Sequence, residues 1–190
     1  TMSQQQTQTL AGLGLNAGIE SLALSEHHSK QLINAWGGPT TREKLVTTSA
    51  EAVDAAQTIG FPVVLKVDSP DILHKTEAGV VRLGLQNAEQ VAAAYDEIMF
   101  NARTQAPAGV LNGVLVQEMV AGGTEVIVGV SYDNQLGPVL LFGTGGILVE
   151  VYNDVALRLC PINLEEAREM IGQVKGAKLL QGFRGSPRGD

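Results

Sequence analysis

The sequence has little of what secreted or membrane-spanning proteins need. It contains a single cysteine, Cys160, so no disulfide can form within the chain, which fits a reducing cytoplasm. Cys160 follows an apolar run and is predicted to be an inert, buried thiol. No apolar run approaches the ~18 residues that a transmembrane helix requires, so no membrane association is expected. The first 19 residues carry no charged side chain and lack the basic start of a signal peptide.

The chain is also short of positive charge. It has 13 Lys and Arg against 20 Asp and Glu, a net charge of −7, and no run of basic residues. This balance argues against a nucleic-acid-binding surface. It does not argue against binding a nucleotide, which needs only a few well-placed cations. Hydrophobic residues make up 44% of the 190 residues, so the chain is expected to bury a real core.

Patterns at the start of the chain and at the helix ends suggest the organisation. Residues 1–21 are rich in Gln, Thr and Gly and are predicted to be a flexible lead-in or linker. Side chains that can cap a helix N-terminus occur at four places, each followed by apolar residues at helical spacing: Ser25, Thr48 with Glu51, Asn87 with Gln90, and Asn163 with Glu166. Gly60 is the expected end of the second of these helices.

The stretch after Asn112 has no helical period until Asn163 and is predicted to be strands. The expected strands are 113–119, 125–132, 138–142, 147–151 and 155–160. Their connections are short, and parallel neighbours need long crossovers, so antiparallel pairing is predicted. The fold class is therefore α+β, with a compact α/β lobe over residues 40–112 that has the order helix, strand, loop, strand, helix.

The segment 60–81 carries the most chemical information. Lys66 lies on an otherwise apolar strand, so its ammonium group is expected to need an anionic partner. A polar loop with His74, Lys75 and Gly79 follows. A fixed cation, a glycine that lets backbone amides approach oxygens, and a histidine that can act as acid, base or nucleophile are what phosphoryl chemistry requires.

Lys66, His74 and two further candidate motifs also have interpretations that involve no function. Lys66 could extend its ammonium to water from an edge strand, and His74 could be an ordinary surface histidine. Residues 143–146, Gly-Thr-Gly-Gly, do not form a GxGxxG pattern and precede a strand, so they indicate a tight turn rather than a dinucleotide loop. Glu150 and Asp154 could bind Mg²⁺ or could be turn acids.

Residues 69–81, SPDILHKTEAGVV, resemble a motif of the ATP-grasp subunit of ADP-forming (NDP-forming) acyl-CoA synthetases, S-P-D-I-x-H-K-[ST]-[DE]-x-G-G-V. The chain departs from it at Val80, where the family has a second glycine, so a less adaptable loop is expected. Further matching stretches follow in the family's order: 116–120, 122–129, 137–138, 142–146, 149–151, 154–155 and 182–187. The resemblance covers roughly residues 22–190.

The resemblance implies an ATP-grasp fold, two α/β lobes with an antiparallel sheet and a nucleotide cleft between them. The domain would occupy residues 22–190, with residues 40–112 as the small lobe and residues 22–39 plus 113–190 as the large lobe. Family members continue past the motif at 182–187 into a helix and a last strand that helps to hold the metal. The chain is therefore expected to be C-terminally truncated, to lack that strand and to be inactive in isolation.

The resemblance also implies site roles and a reaction. His74 would be a transient phosphoryl carrier and the catalytic residue. The nucleotide-binding residues would be Lys66, Lys75, Gly79, Glu118, Met119, Val120, Glu125, Gly145 and Gly146. Residues 117–120 would meet the adenine edge, and Glu125 would face the ribose or the phosphates. Glu150 and Asp154 are the candidate metal ligands.

The implied cofactors are ATP/ADP and Mg²⁺, and the implied reaction is acid + CoA + ATP = acyl-CoA + ADP + Pi. The partner would be a CoA-binding domain or subunit, which forms an acyl phosphate and donates the phosphoryl group through its own phosphohistidine to His74. Two alternatives remain open. One is an ATP-grasp carboxylate ligase that works without phosphohistidine, and the other is a regulatory synthetase-like region of a protein acetyltransferase.

Overall fold

The computed structural model of the chain describes residues 2–13, 24–72, 75–145, 153–182 and 189. The chain divides into two compact units, Thr1–Val120 and Ala121–Asp190. Each unit combines helices with an antiparallel sheet, which confirms the α+β class. Among the residues that the structure describes, no helix is both long and apolar enough to cross a membrane.

The first unit is built on a four-stranded sheet. Its strands are β1 (Glu43–Val46), β2 (Val63–Asp68), β3 (Val81–Leu85) and β4 (Gly113–Glu118), in the spatial order β1-β4-β2-β3 and antiparallel throughout. Its helices are α1 (Gln4–Gly12), α2 (Glu26–Ala35), α3 (Ser49–Ile59) and α4 (Ala88–Gln105). Because β2 lies between β3 and β4, it has a hydrogen-bonded neighbour on both sides.

The two faces of β2 meet different surroundings. Val63, Leu65 and Val67 are fully buried and pack with apolar residues of α3 and α4 in the main core. Successive side chains of a strand point to opposite faces, so Lys66 and Asp68 lie on the other face. Helix α2 lies along that face, since Glu26 contacts Lys66 and the His27 amide contacts Asp68. The strand is thus buried on both faces, as its apolar run predicts.

The helix starts follow the capping signals in the sequence. Ser25 accepts a hydrogen bond from the His28 amide, and Asn87 accepts one from the Gln90 amide. Thr48 with Glu51 and Asn163 with Glu166 form full capping boxes, in which each side chain satisfies the other's backbone N–H. Gly60 ends α3 at φ +96°, a conformation that favours glycine.

The second unit is a three-stranded antiparallel sheet with helices packed against it. Its strands are β5 (Val126–Asp133), β6 (Gly137–Thr144) and β7 (Val155–Leu159), in the order β5-β6-β7, followed by α5 (Leu164–Gln173) and α6 (Ala177–Leu180). The small core consists of Phe142, Ala156, Met170, Val174 and Ala177. The antiparallel pairing predicted from the short connections is confirmed for β5 with β6, and β7 also pairs antiparallel with β6. It is wrong for β4, which pairs with β1 and β2 in the first unit and not with β5. The strand predicted over residues 147–151 lies outside the described residues.

Several details differ from the sequence-based expectations. The predicted lead-in contains helix α1, because Ser3 and Gln6 form a capping box, and α1 packs against α2. The short strand β1 was not predicted. Both α2 and β4 belong to the first unit rather than to the lobe that includes residues 121–190, because β4 pairs with β1 and β2. Cys160 is only half-buried, since it follows β7 at the edge of a three-stranded sheet.

Candidate functional site

Three lysine side chains of the first unit converge on one carboxylate, that of Glu26. Lys66 Nζ lies 3.1 Å from Glu26 Oε1, and Lys30 Nζ lies 3.0 Å from the same oxygen. Lys75 Nζ lies 3.0 Å from Glu26 Oε2. These four residues are called the Glu26 cluster below. The prediction that Lys66 needs an anionic partner is confirmed, and the partner in the structure is Glu26.

Asp68 holds helix α2 in the position that brings Glu26 to Lys66. Its Oδ1 accepts a hydrogen bond from the His27 amide at 3.1 Å, and its Oδ2 accepts one from Asn112 Nδ2 at 2.9 Å. The side chain is fully buried. Because Asp68 follows Lys66 by two residues on β2, one strand both anchors the first turn of α2 and carries the lysine that pairs with it.

A second carboxylate, Glu43, holds Lys30 from the β1 side. Glu43 Oε2 lies 2.6 Å from Lys30 Nζ, and Glu43 Oε1 lies 3.0 Å from His27 Nδ1. Lys30 also donates to Gln117 Oε1 at 2.9 Å. Lys30 is therefore shared among several fixed acceptors, whereas the contacts of Lys66 and Lys75 in the described part of the chain are concentrated on Glu26.

The electrostatics of the cluster favour the charged forms. Burial alone would raise the pKa of Glu26, but Lys66, Lys30 and Lys75 outweigh it and lower that pKa to about 2. Burial would lower the pKa of Lys30, yet its bonds to Glu43 and Glu26 raise it above the usual value. Burial also opposes ionisation of Asp68, but hydrogen bonds from Asn112 and the His27 amide hold its pKa below the usual value. All three groups are ionised at neutral pH.

The loop after β2 places Lys75 and Gly79 in one turn. Gly79 has φ +65°, and its carbonyl accepts a hydrogen bond from Asn101 Nδ2 at 2.9 Å, so the turn needs a glycine at this position. Val80, the departure from the family motif, is fully buried, lies outside the left-handed region and donates its amide to the Lys75 carbonyl. The turn thus accommodates valine without strain. His74 lies outside the described residues.

In the candidate adenine-contacting stretch, Glu118 and Met119 already make hydrogen bonds within the first unit. The Glu118 carboxylate accepts hydrogen bonds from the Arg42 amide at 2.8 Å and from Arg42 Nε at 2.7 Å, which ties β4 to the start of β1. The Glu118 amide donates to the Arg42 carbonyl, and the Met119 amide donates to Pro62. Val120 is exposed. Among the described contacts the Val120 backbone makes no hydrogen bond, so of the three it is the most available to a base edge.

In the second unit, Glu125 and Gly145 are held together by their backbones. The Gly145 amide donates to the Glu125 carbonyl at 2.8 Å, and a Cβ on Gly145 would lie 2.9 Å from atoms of Glu125. This close approach explains the glycine on structural grounds. The Glu125 side chain is exposed. Gly146 lies outside the described residues.

Asp154 is a buried structural acceptor in the second unit. Its two carboxylate oxygens accept the amides of Lys175 and Gly176, each at 2.7 Å, and Thr144 Oγ1 lies 3.4 Å away. Burial would raise its pKa, but these hydrogen bonds lower it. Glu150 lies outside the described residues. Among the residues that the structure describes, no three His, Cys, Asp or Glu side chains group as a metal site would require.

Replacing Asp154 with asparagine is expected to lower the free energy of unfolding by about 1–3 kcal/mol, because an amide nitrogen would face a backbone N–H. The loss should persist in EDTA, as measured by thermal melting. Glu169→Gln, at an exposed position on α5, is the control and should change little. If Mg²⁺ raises the melting temperature of the wild type but not of Asp154→Asn, Asp154 is a metal ligand instead.

Comparison with known proteins places these features in a family. The ATP-grasp domain family matches residues 17–190. Subunit beta of the ADP-forming acetate–CoA ligase II from Pyrococcus furiosus is 42% identical over 168 residues, which cover 88% of this chain and 71% of that subunit. The solved structure of acetyl-coenzyme A synthetase 1 from Ca. Korarchaeum cryptofilum, in complex with coenzyme A, Ca-AMPCP and HgCl+, superposes with a TM-score of 0.88. It is 40% identical, covering 97% of this chain and 80% of that one.

A second structure of the Korarchaeum enzyme has coenzyme A and Mg-AMPPCP bound, with its phosphohistidine segment pointing towards the nucleotide binding site. It superposes with a TM-score of 0.78 at 39% identity, covering 97% of this chain and 78% of that one. The matched fold is thus that of an ATP-grasp domain. The chain belongs to the ATP-grasp family of the ADP-forming acyl-CoA synthetases, which confirms the resemblance seen in the sequence.

The sequence patterns predicted roles for Lys66 and Lys75 but not for the residues that surround them, which are the acids Glu26, Glu43 and Asp68 and a third lysine, Lys30. The available signal was weak, since Glu26 is an acid in the first turn of a helix and such acids usually serve only to complement the helix dipole. Only the packing of α2 over β2, across 40 residues of sequence, shows that its carboxylate pairs with Lys66.

Proposed function

We propose that the chain binds ATP and ADP and forms the phosphoryl-transfer part of an ADP-forming acyl-CoA synthetase. The observation that carries the proposal is the convergence of Lys66 and Lys75 on a single carboxylate, in a chain of this family. A carboxylate and a phosphate oxygen make the same kind of charge-assisted contact to an ammonium group. The position that Glu26 occupies is therefore one that suits a phosphate oxygen.

The proposed roles follow from these contacts. Lys66 and Lys75 bind the nucleotide phosphates, and the glycine turn at Gly79 presents Lys75. The Val120 backbone meets the adenine edge, with Glu118 and Met119 beside it. In the second unit, the proposed nucleotide contacts are Glu125, Gly145 and Gly146.

His74 is the proposed phosphoryl carrier. In the ATP-consuming direction its imidazole nitrogen attacks the γ-phosphorus, an N–P bond forms, the bond to the bridging oxygen breaks and ADP leaves. The phosphoryl group then passes to the partner, and the reverse sequence makes ATP. A phosphoryl group of this kind is moved mainly by close positioning and charge neutralisation, which a lysine neighbour supplies.

Mg²⁺ is proposed to enter with the nucleotide. The residues described do not fit a metal site formed by the protein alone, because the Asp154 carboxylate is taken by two backbone amides. Mg²⁺ commonly keeps its waters and binds through phosphates with one or two carboxylates. When bound, it would neutralise phosphate charge. Glu150 is the carboxylate proposed to join it, with Asp154 as the weaker candidate.

The proposed partner is a CoA-binding domain or subunit that supplies or accepts the phosphoryl group. The overall reaction would be acid + CoA + ATP = acyl-CoA + ADP + Pi. A cytoplasmic location is proposed as well, and the single cysteine and the dependence on cellular ATP and CoA support it.

Nucleotide binding can be tested by comparing ADP with AMP. The chain is expected to bind ADP and to melt at a higher temperature with it, because a ligand at 100 times its Kd stabilises by about 2.7 kcal/mol. AMP offers only the α-phosphate to the lysines and should shift the melting temperature far less. Equal shifts with ADP and AMP, or no shift with millimolar ADP, would contradict the proposed lysine–phosphate contacts.

A further inference from the structure

Glu26 stands in the Glu26 cluster where an incoming anion would have to stand. One of its oxygens contacts Lys66 and Lys30, and the other contacts Lys75. Two ammonium groups from different elements, β2 and the turn that follows it, are therefore bridged by one carboxylate. A phosphate group presents oxygens to two such ammonium groups in the same way.

We propose that Glu26 is a built-in competitor for the phosphate site, a carboxylate that pairs with Lys66 and Lys75 until a nucleotide phosphate displaces it. The inference rests on the proposed function and adds a free-energy cost to the binding of the nucleotide phosphates. A phosphate can engage both lysines fully only after two ion pairs to Glu26 are broken. The affinity measured for the nucleotide is reduced by that exchange, just as any ligand loses affinity when its binding-competent state is a minor one.

Glu26 is the carboxylate of this region that is free to leave. Asp68 is fully buried and is held by the His27 amide and by Asn112. Glu43 has a side chain only 9% exposed and is fixed by Lys30 and His27. The Glu26 side chain is 25% exposed, comes from the first residue of α2 and is held by ammonium groups alone among the described contacts. Rotation about its side-chain bonds is enough to carry the carboxylate into water.

The charges of the region also make the exchange necessary. The lysines Lys30, Lys66 and Lys75 face three acids, Glu26, Glu43 and Asp68, the last of which is close enough to Lys75 for its pKa to respond. The group is thus near neutrality while Glu26 stays in place. When Glu26 turns away, three lysines face two acids, so one net positive charge and the contacts of Lys66 and Lys75 become available to an anion, and when Glu26 returns, it helps to expel that anion. Glu26 would therefore weaken ground-state binding and assist release of product.

The test is an isothermal titration calorimetry experiment in EDTA. Inorganic triphosphate and ADP are each titrated into the wild type and into Glu26→Gln, and the affinities are compared. Glutamine keeps the length of the side chain but removes the charge that competes. Both anions are expected to bind Glu26→Gln at least about tenfold more tightly than the wild type, because the ion pairs of Glu26 to Lys66 and Lys75 need no longer be broken and even one charge-assisted contact corresponds to about tenfold.

Glu43→Gln is the matched control, because it removes a carboxylate of the same region that contacts neither Lys66 nor Lys75. It should change both affinities far less. Thermal melting, monitored by the fluorescence of Trp36 at the end of α2, shows whether each variant is folded. Should Glu26→Gln fail to fold, Glu26→Asp serves instead, since its shorter side chain cannot bridge both lysines and it should also bind more tightly.

The outcomes separate the competitor role from the proposed function. Unchanged or weaker binding of triphosphate to Glu26→Gln would overturn the competitor role, and weaker binding would make Glu26 a residue that positions the lysines. Absence of triphosphate binding to every variant would overturn it too. A tighter triphosphate complex without any ADP binding would uphold the competitor role while contradicting the proposed nucleotide function.

Discussion

Replacing Lys66 with alanine is expected to weaken ATP and ADP binding by roughly 10- to 150-fold, the equivalent of about 1.5–3 kcal/mol for a charge-assisted hydrogen bond. The loss arises because Lys66 sits on an internal strand, where its ammonium group is held at a fixed place beside Lys75. Little stability should be lost, since Glu26 keeps its contacts to Lys30 and Lys75. Calorimetry measures the affinities directly.

Lys44→Ala is the control for this measurement. Lys44 is an exposed lysine on β1 of the same sheet, and its removal changes the net charge of the chain by the same amount. An equal loss of affinity in Lys44→Ala would mean that net charge rather than a specific contact attracts the nucleotide. Unchanged ATP affinity in Lys66→Ala would remove Lys66 from the site.

Local signals predicted the local parts of the fold well. The capping residues Ser25, Thr48, Asn87 and Asn163 each begin a helix, because a cap depends on side chains within three residues of the helix start. The capping box of Ser3 and Gln6 is equally local. The Gln-rich composition around it is nevertheless typical of a linker, and this composition outweighs the short capping signal.

Long-range arrangement was less accessible to the sequence. The pattern of β4 indicates a strand, but nothing in it says that β4 lies between β1 and β2. That position follows from pairing with partners some 50 to 70 residues away, such as Val114 with Val46 and with Val67. The grouping of β4 with the first unit is therefore a matter of topology, which the strand pattern alone does not predict.

The candidate site shows the same contrast between local features, which the sequence predicts, and long-range contacts, which it does not. A lysine on a strand with apolar neighbours indicates that an anionic partner is required, so Lys66 could be identified from the sequence as a candidate site residue. The partner itself, Glu26, could not be predicted from the sequence. Glu26 reaches Lys66 only because Asp68 holds α2 in place through the His27 amide. Asp154 illustrates the converse. Its spacing from Glu150 suggested a metal pair, whereas the folded chain commits its oxygens to the amides of Lys175 and Gly176.

These observations divide the proposed machinery into a binding part and a transfer part. The lysines of the Glu26 cluster make ion pairs with Glu26 and suit the binding of a phosphate group. The proposed carrier is instead an imidazole, which has an unperturbed pKa of ~6.5 and so offers a neutral nitrogen near pH 7. His74 precedes Lys75 in the chain, which places the proposed carrier next to a phosphate-binding lysine in sequence.

Replacing His74 with alanine is expected to abolish phosphoryl transfer to this chain while leaving nucleotide binding nearly intact, because the lysine contacts remain. In the complete enzyme, incubation with Mg²⁺ and ATP labelled in the γ-phosphate should give the wild-type ATP-grasp part a label that is lost in acid and kept in base, as a phosphoramidate is. His28→Ala is the control, since His28 lies on α2 at a position outside the family motif, and it should keep the label.

The pattern of label and turnover decides between mechanisms. Loss of both in His74→Ala, with ADP affinity unchanged, is the result that a phosphohistidine relay requires. Full acyl-CoA synthesis by His74→Ala would rule the relay out and favour direct transfer from ATP to the acid, as in a carboxylate ligase. A chain of His74→Ala that still takes up acid-labile label would place the carrier on another nitrogen, for which the remaining histidines, His27 and His28, are the candidates to substitute next.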